Sequence, residues 1–273
     1  MNRKSVRLVY PEGKQKAFTL SYDDGNVADR KLVGIFNKNK LKGTFHLNSG
    51  PILDPEDSWH IKGDEVKDLY AGHEVSIHTL THPYPDRVAK NIQFYEIVED
   101  RRNLERLCGY AVRGMSYPMG TWNQDSLDIL KAADIVYSRT TRATTSFALP
   151  ENWLLWHPTA HQSHHILELA DRFLGEDRDL STLYVWGHSF EFDRNPDNEL
   201  NNWKMMEEFC EKMSGHDNIW YATNIEIYDY ITAQSRLYYT MDLSKVTNPS
   251  AIPVWIKVNG TTVKIPGGAT VEI

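Results

Sequence analysis

Short apolar runs rich in β-branched and aromatic residues alternate with longer amphipathic segments from about Lys16 to Thr232. Short runs bounded by turn residues predict strands, and apolar positions three and four apart predict helices. The predicted strands are 16–22, 44–47, 74–78, 111–117, 135–138, 153–156 and 183–186. The predicted helices are 29–39, 63–70, 86–107, 124–133, 165–173 and 201–213. This alternation predicts an α/β fold with a mostly parallel sheet, either open or closed as a barrel.

The last part of the chain has a different pattern. The stretch VWIKVNGTTVKI contains two β-like runs around Asn259-Gly260, a dipeptide that favours a tight hairpin turn. We therefore divide the chain into a main domain, residues 1–236, and a small C-terminal β extension, residues 237–273. The extension is expected to pack on the main domain or on a second copy of the chain, which would make a homo-oligomer.

Composition and charge exclude several classes of protein. The 273 residues include 37 acidic and 30 basic side chains, for a net charge of −7, and no basic stripe suggests nucleic acid as a partner. No apolar run approaches the roughly 20 residues that cross a bilayer. The N-terminal sequence also lacks the apolar core of a secretory signal, so we expect a cytoplasmic protein, or an extracellular one if a leader has been removed. The two cysteines, Cys108 and Cys210, are expected to be buried, unreactive thiols.

Two strand ends carry residues suited to holding a metal. Asp23 and Asp24 follow the first long strand, where neighbouring carboxylates can diverge so that one binds a cation and the other faces a water molecule. His78 and His82 follow another strand, and histidines four apart share one face if the segment coils into a helical turn. Two histidines and one aspartate would leave coordination positions open, as catalytic metal sites do.

Two later segments are less decisive. His188 ends the last clear strand in the sequence WGHS. This sequence also imitates a nucleophile elbow at Ser189, but only His216 remains downstream as the histidine of a serine hydrolase.

The segment 156–165 holds four histidines, His157, His161, His164 and His165. We interpret them as ordinary loop and helix-start residues because no carboxylate is spaced with them. A cleft lining or a second cation site is the alternative.

Taken in order, SYDDG, HTLTHP, RGMSYP and WGHS resemble the motifs of the polysaccharide deacetylases, the NodB-homology carbohydrate esterases. The resemblance covers about residues 16–192 by motif. It implies a distorted barrel of about seven β/α units.

The resemblance also implies a role for each matching residue. Asp23 would be the general base, and Asp24, His78 and His82 the metal ligands. Arg113 would orient the base, the backbone N–H of Tyr117 would hold the oxyanion, and His188 would be the general acid. Trp186 stands where the family often has a leucine that lines the acetyl pocket. It would bind substrate there or simply pack in the core.

Two departures from the family pattern affect these roles. The family's third motif usually runs Arg-x-Pro-aromatic, whereas here Arg113 is followed by GMSYP. The position of the residue that donates to the oxyanion is therefore open by one or two residues. The fourth motif, an Asp-Trp-type segment that braces the catalytic histidine, has no clean match in IVYSRTT, which leaves open what orients His188.

The expected function is metal-dependent removal of N- or O-acetyl groups from a carbohydrate. The cofactor would be a divalent metal, with zinc the first expectation and cobalt, nickel or iron also compatible. Two alternatives stay open: a related metal-dependent C–N hydrolase of a small amide or ureide, and a non-catalytic carbohydrate-binding protein.

Overall fold

The computed structural model describes residues 4–273. The strands are β1 Val6–Leu8, β2 Lys16–Asp24, β3 Gly43–Leu47, β4 Glu74–Ile77, β5 Gly114–Ser116, β6 Tyr137–Arg139, β7 Ala160–His161, β8 Ser181–Gly187, β9 Ile219–Tyr221, β10 Tyr238–Tyr239, β11 Lys245–Thr247, β12 Val254–Val258, β13 Thr261–Ile265 and β14 Thr270–Glu272. The α-helices are α1 Asp29–Lys38, α2 Ser49–Leu53, α3 Val66–Leu69, α4 Lys90–Cys108, α5 Gln124–Ala132, α6 Ile166–Leu174, α7 Glu191–Arg194, α8 Trp203–Met213 and α9 Asn224–Ser235.

The main domain is built on one curled parallel sheet with the strand order β6-β5-β4-β3-β2-β8-β7, and β9 pairs with the beginning of β2. All of these pairings are parallel, and helices connect most of the strands. The sheet curls into a half-barrel. This confirms the predicted α/β class and the distorted (β/α)7 architecture.

The two faces of the sheet differ in polarity because side chains alternate along each strand. On β2, Phe18, Leu20 and Tyr22 are buried in the main apolar core, where the Tyr22 ring lies 5.7 Å from that of Phe36 on α1. Ser21 and Asp23 point to the other face, inside the curl. Polar groups are therefore collected inside the half-barrel, and the strand ends bring them to its rim.

Several predicted elements differ from the observed ones in extent. The predicted strand 153–156 is a 3-10 turn, Trp153–Leu155, and only Trp156 bridges to the sheet, beside Arg139. The helix predicted from residue 86 begins at Lys90, because Pro85 starts a separate 3-10 turn. The segment 63–70 is a 3-10 turn followed by the single turn of α3. In each case the predicted element overstates how far the regular backbone extends.

The C-terminal residues form two small antiparallel sheets, β1-β12-β13 and β10-β11-β14. The predicted hairpin is confirmed: β12 and β13 pair around Asn259-Gly260, and both turn residues have positive φ. The N-terminal strand β1 is an edge of the same sheet, a long-range pairing that the sequence pattern did not indicate. The boundary at residue 236 stays a prediction. Within residues 4–273, no helix has both the length and the apolar character needed to cross a membrane.

Candidate active site

The end of β2 brings two adjacent carboxylates to the rim of the half-barrel. In a regular strand their side chains would point to opposite faces. Asp24 instead has a φ of +78°, in the left-handed region that aspartate tolerates better than most residues. This turn breaks the alternation of side chains. Asp23 therefore stays inside the curl, and Asp24 lies beside the two histidines of the loop after β4.

Asp24, His78 and His82 come together as a group able to hold a cation. The His78 Nε2 atom lies 3.5 Å from Asp24 Oδ1, and the His82 Nε2 atom lies 3.7 Å from the same oxygen. The His78 Nδ1–H donates to the backbone carbonyl of Ser116 at 2.9 Å. A carbonyl can only accept, so the lone pair of His78 is on Nε2 and faces Asp24.

These residues fit a divalent metal. Burial raises the pKa of Asp24, with the neighbouring Asp23 charge adding to the effect, and no lysine or arginine of residues 4–273 pairs with it. A bound cation would neutralise this carboxylate. Two imidazoles and one carboxylate suit zinc, and also cobalt, nickel or iron.

The two histidines converge through an irregular loop. The helical turn expected for residues 78–82 does not form, and Thr79 and His82 instead have positive φ. The loop is held by its neighbours. Asn48 donates to the carbonyls of His78 and Thr79 at 2.6 and 2.8 Å, and Glu96 of α4 accepts from the Thr81 N–H at 2.7 Å. The imidazole rings of His78 and His82 lie 4.8 Å apart as a result.

Asp23 is fully buried and held as a carboxylate. Ser116 Oγ donates to Asp23 Oδ1 at 3.0 Å, and the Arg139 guanidinium donates to Oδ2. Burial alone would raise the pKa of Asp23, but Arg139, with His78, holds it well below its ordinary value. A deprotonated carboxylate beside the candidate metal ligands is suited to accept a proton from water.

The arginine beside Asp23 is Arg139, and the structure does not bring Arg113 to Asp23. Arg113 instead pairs with Asp229 of α9, with Nη1 3.0 and 3.1 Å from the two carboxylate oxygens. The reason lies in strand direction. Arg113 precedes β5, whereas Arg139 is the last residue of β6, and functional residues of parallel barrels gather at the carboxyl ends of strands. Ser116, the last residue of β5, is paired with Arg139 in register.

His188 follows β8 on the other side of the rim, where its Nε2 atom lies 3.9 Å from Asp24 Oδ2. Its Nδ1–H donates to Glu191 Oε1 at 3.0 Å, so the group that orients it is a carboxylate three residues later, at the start of α7. Burial lowers the pKa of His188, but the hydrogen bond to Glu191 and the Asp23 and Asp24 carboxylates outweigh it and raise the pKa above 6.5. These contacts stabilise the doubly protonated form of the imidazole relative to its neutral form.

A cavity of about 450 Å³ opens over these groups. Trp59, Tyr117, Trp186 and Phe190 form much of its wall. Trp186 lines the cavity and also packs against Arg139. The guanidinium carbon of Arg139, whose nitrogen bonds to Asp23, lies 4.2 Å from the centre of the Trp186 ring.

Tyr117 lines this cavity, but its polar groups are already bonded. Its N–H donates to the Arg139 carbonyl at 3.0 Å as part of the sheet, and its hydroxyl donates to the Leu154 carbonyl at 2.9 Å. The N–H of Tyr117 is therefore not free to serve as the expected oxyanion donor. Pro118 has no N–H, and Met119, which also lines the cavity with a φ of +55°, carries the next one along the chain.

The other candidate histidines and Ser189 are separated by the fold. Ser189 is fully buried and does not line the cavity, which argues against the nucleophile elbow. His157 bonds to Thr140, and His165 is exposed beside Glu168. His161 alone of the four histidines reaches the rim, near Glu191.

Arg139 and Glu191 are the site residues that sequence reasoning missed. Glu191 lies three residues after His188, a spacing that brings side chains together if the chain turns there. Arg139 directly follows the predicted strand 135–138, and that place after a strand is itself the signal for a rim position.

Comparisons with known proteins bear on the family and on the fold. Residues 11–138 match the family model described as polysaccharide deacetylase. Among solved structures, a candidate polysaccharide deacetylase from Mycobacterium smegmatis is 16% identical with a TM-score of 0.62, covering 85% of this chain and 95% of that one. A mutant of BA3943 from Bacillus anthracis, a CE4 family pseudoenzyme with restored enzymatic activity, is 16% identical with a TM-score of 0.52, covering 81% of this chain and 69% of that one.

The chain spans 61% of the length of the deacetylase PplD from Streptococcus pyogenes, which covers 50% of this chain at 18% identity and a TM-score of 0.46. The search of curated proteins gives no match. At such low identities the solved structures show a shared fold. The match over residues 11–138, a little under half of the chain, shows that this part is similar to the polysaccharide deacetylase family.

Proposed function

We propose that this protein is a divalent-cation-dependent hydrolase that removes N- or O-acetyl groups from a carbohydrate. The observation that carries the proposal is the placement of Asp23 and His188 on either side of Asp24 in one cavity. The neighbours of Asp23 lower its pKa, whereas those of His188 raise its pKa. Environments that separate two titratable groups in this way are typical of a general base and a general acid.

Asp24, His78 and His82 would hold the cation. When bound, a divalent cation polarises a carbonyl and lowers the pKa of water. The protein's part is to fix these ligands, which Ser116 does for His78 through Nδ1. Such a hydrogen bond sets the tautomer and the ring orientation of a ligating histidine.

Asp23 would accept the proton of the water molecule that attacks the acetyl carbonyl. Its two oxygens are fixed by Ser116 and Arg139, which leaves little freedom for the carboxylate to rotate away. Asp23 Oδ2 lies 3.8 Å from His78 Nε2, so the base stands directly beside the candidate ligands.

The negative charge that develops on the acetyl oxygen requires a hydrogen-bond donor. We assign this role to the backbone N–H of Met119, since the N–H of Tyr117 is bonded within the sheet. The positive φ of Met119 turns this peptide out of the regular strand direction beside the cavity.

His188 would give its Nε2 proton to the departing amine or hydroxyl oxygen of the sugar. An amine leaves poorly unless it is protonated, and a positioned acid contributes about 10²–10⁴-fold to such a step. Glu191 holds the ring in place through Nδ1, so Nε2 faces the cavity.

One finding keeps the non-catalytic alternative in view: a CE4 family pseudoenzyme shares this fold. The side chains present here favour catalysis, because base, acid and three candidate ligands all stand in the same cavity.

The decisive experiment measures acetate release from acetylated chitooligosaccharides and acetylated xylan. Metal-stripped protein would be refilled with one equivalent of Zn²⁺ or Co²⁺. We expect release that needs the cation and falls at least about 10²-fold in Asp23→Asn. Asp229→Asn, which changes an acid away from the cavity, is the matched control and should keep the wild-type rate.

Equal rates in wild type and Asp23→Asn would overturn the proposal. No release from any acetylated sugar, together with turnover of a small amide or ureide, would favour the C–N hydrolase. Sugar binding without any release would favour the binding protein.

A further inference from the structure

A second group of metal-ligating side chains lies on the acid side of the cavity. His161, His188 and Glu191 each bring one donor atom within 4.8 Å of the others. His161 Nε2 is 3.4 Å from Glu191 Oε2, and His188 Nδ1 is 3.0 Å from Glu191 Oε1. Two imidazoles and one carboxylate are the same donor set as in the triad around Asp24.

The donors of this second group are held by neighbouring side chains. His161 Nδ1 lies 2.9 Å from Ser163 Oγ, which leaves Nε2 directed at Glu191. Gln162 and Asn201 donate to Glu191 Oε2 at 3.1 and 3.2 Å. Hydrogen bonds of this kind orient the ligands of protein metal sites and support their affinity.

The Gln162 side chain has room beside Glu191 only because residue 187 is a glycine. A Cβ atom at that position would lie 2.1 Å from the side-chain oxygen of Gln162. The Gln162 amide nitrogen also donates to the His188 carbonyl at 3.0 Å, so one side chain fixes both the ligand backbone and the ligand carboxylate.

The group is shielded but open to small ions. The side chains of His161, His188 and Glu191 are 14%, 21% and 16% exposed. Both His188 and Glu191 line the 450 Å³ cavity, which gives an ion a path from solvent. The carboxylate of Glu191 contacts two imidazoles and two neutral amides. No lysine or arginine of residues 4–273 is bonded to it.

We propose that His161, His188 and Glu191 form a second divalent-cation site, distinct from the Asp24–His78–His82 site, and that its occupation inhibits the enzyme. To bind a cation, His188 Nδ1 gives up its proton to solvent. The ring then keeps only the Nε2 proton, and donating that proton would leave an imidazolate. His188 is therefore a poor general acid while the second site is filled.

Binding stoichiometry tests the site without reference to activity. Metal-stripped wild-type protein is titrated with Zn²⁺ by calorimetry and with Co²⁺ by visible absorption. We expect two equivalents in wild type and one in His161→Gln. His164→Gln, whose ring lies 5.6 Å from that of His161 but outside the group, should still bind two.

Ser163→Ala provides a milder test if His161→Gln does not fold. It removes the hydroxyl that contacts His161 Nδ1 but keeps the Ser163 backbone N–H, which lies 3.3 Å from the same atom. We expect about tenfold weaker binding at the second site with the first site unchanged. A single equivalent in wild type, or two equivalents in His161→Gln, would overturn the proposal.

The inhibitory part rests on the proposed deacetylase function. Acetate release by the one-equivalent enzyme should fall as Zn²⁺ fills the second site, whereas His161→Gln should keep its own one-equivalent rate over the same range. Equal inhibition of both proteins would refute the inhibitory role. If no form releases acetate, the proposed function fails, and the stoichiometry still decides whether the second site exists.

Discussion

The two halves of the rim are built in different ways. Asp23 and Asp24 are the last two residues of β2, and His78 and His82 lie in the loop after β4, so two short stretches bring these four residues together. Strands β5, β6 and β8 contribute single residues that depend on partners elsewhere. Arg139 reaches back to Asp23, and His188 needs Glu191 from α7.

This difference separates what a local motif can encode from what only tertiary packing supplies. A cation site needs several ligands close together, and the ends of β2 and β4, on either side of β3, provide the candidate ligands here. The groups that set the charge state of Asp23 and His188 have only to lie within hydrogen-bond distance, so different strands or helices can supply them. Family motifs therefore locate the ligands here more securely than they locate the supporting residues.

The largest effect is expected when each of the two arginines, Arg139 and Arg113, is replaced in turn. Arg139 is fully buried against Asp23, whereas Arg113 and its partner Asp229 are about one-third exposed. Removing one partner of a buried pair costs about 3–5 kcal/mol, while an exposed pair contributes roughly 0–1 kcal/mol. We expect Arg139→Gln to lower the free energy of unfolding and the rate of acetate release strongly, and Arg113→Gln to change neither much.

Urea unfolding followed by tryptophan fluorescence, with acetate release on the same samples, measures both effects. Arg139→Lys keeps a positive charge beside Asp23 and should recover part of the loss if Arg139→Gln does not fold. A larger loss of activity in Arg113→Gln than in Arg139→Gln would contradict the assignment.

A smaller effect is expected from the partner of His188. Burial alone would raise the pKa of Glu191, but its hydrogen bond with His188 lowers it to about 2, and the same contact helps to raise the pKa of His188 above 6.5. A general acid acts in its protonated form, so the rate falls as pH rises through the pKa of His188. Glu191→Gln removes a negative charge, lowers that pKa, and should move the alkaline limb of kcat/KM to lower pH.

The pH profiles would be measured with one equivalent of cation bound. Asp193→Asn changes another acid of α7, one that bonds to Trp203, and should leave the profile in place. An unchanged alkaline limb in Glu191→Gln would show that this carboxylate does not support the charge on His188.

Most of the main sheet could be predicted because its strands are short apolar runs that end at polar turns. Five strands, β2, β3, β4, β6 and β8, lie where the pattern placed them to within a few residues. The pairing of β1 with β12 could not be predicted in this way, since it joins residues about 250 positions apart and leaves no periodic signal. At the site, the ligands and His188 came from motifs. The turn of Asp24 and the loop after His78 depend on positive φ values that no alternation pattern encodes.

The smallest expected effect concerns Met119, where the reaction is proposed to use the backbone and not the side chain. The side chain of Met119 is half exposed at the cavity, and truncating an exposed side chain usually changes free energies by no more than about 0.5 kcal/mol. Met119→Ala keeps the N–H, so kcat should stay within about twofold of wild type. Loss of its contact area would appear as a modest rise in KM.

Met119→Gly refines the same test. Glycine adopts positive φ without strain, so it holds the peptide in place while removing the side chain entirely. Separate kcat and KM values for both variants give the measurement. If kcat fell tenfold or more in Met119→Ala and in Met119→Gly alike, the side chain itself would be required. The oxyanion donor would then have to be sought on the β6 side of the rim, beside Arg139.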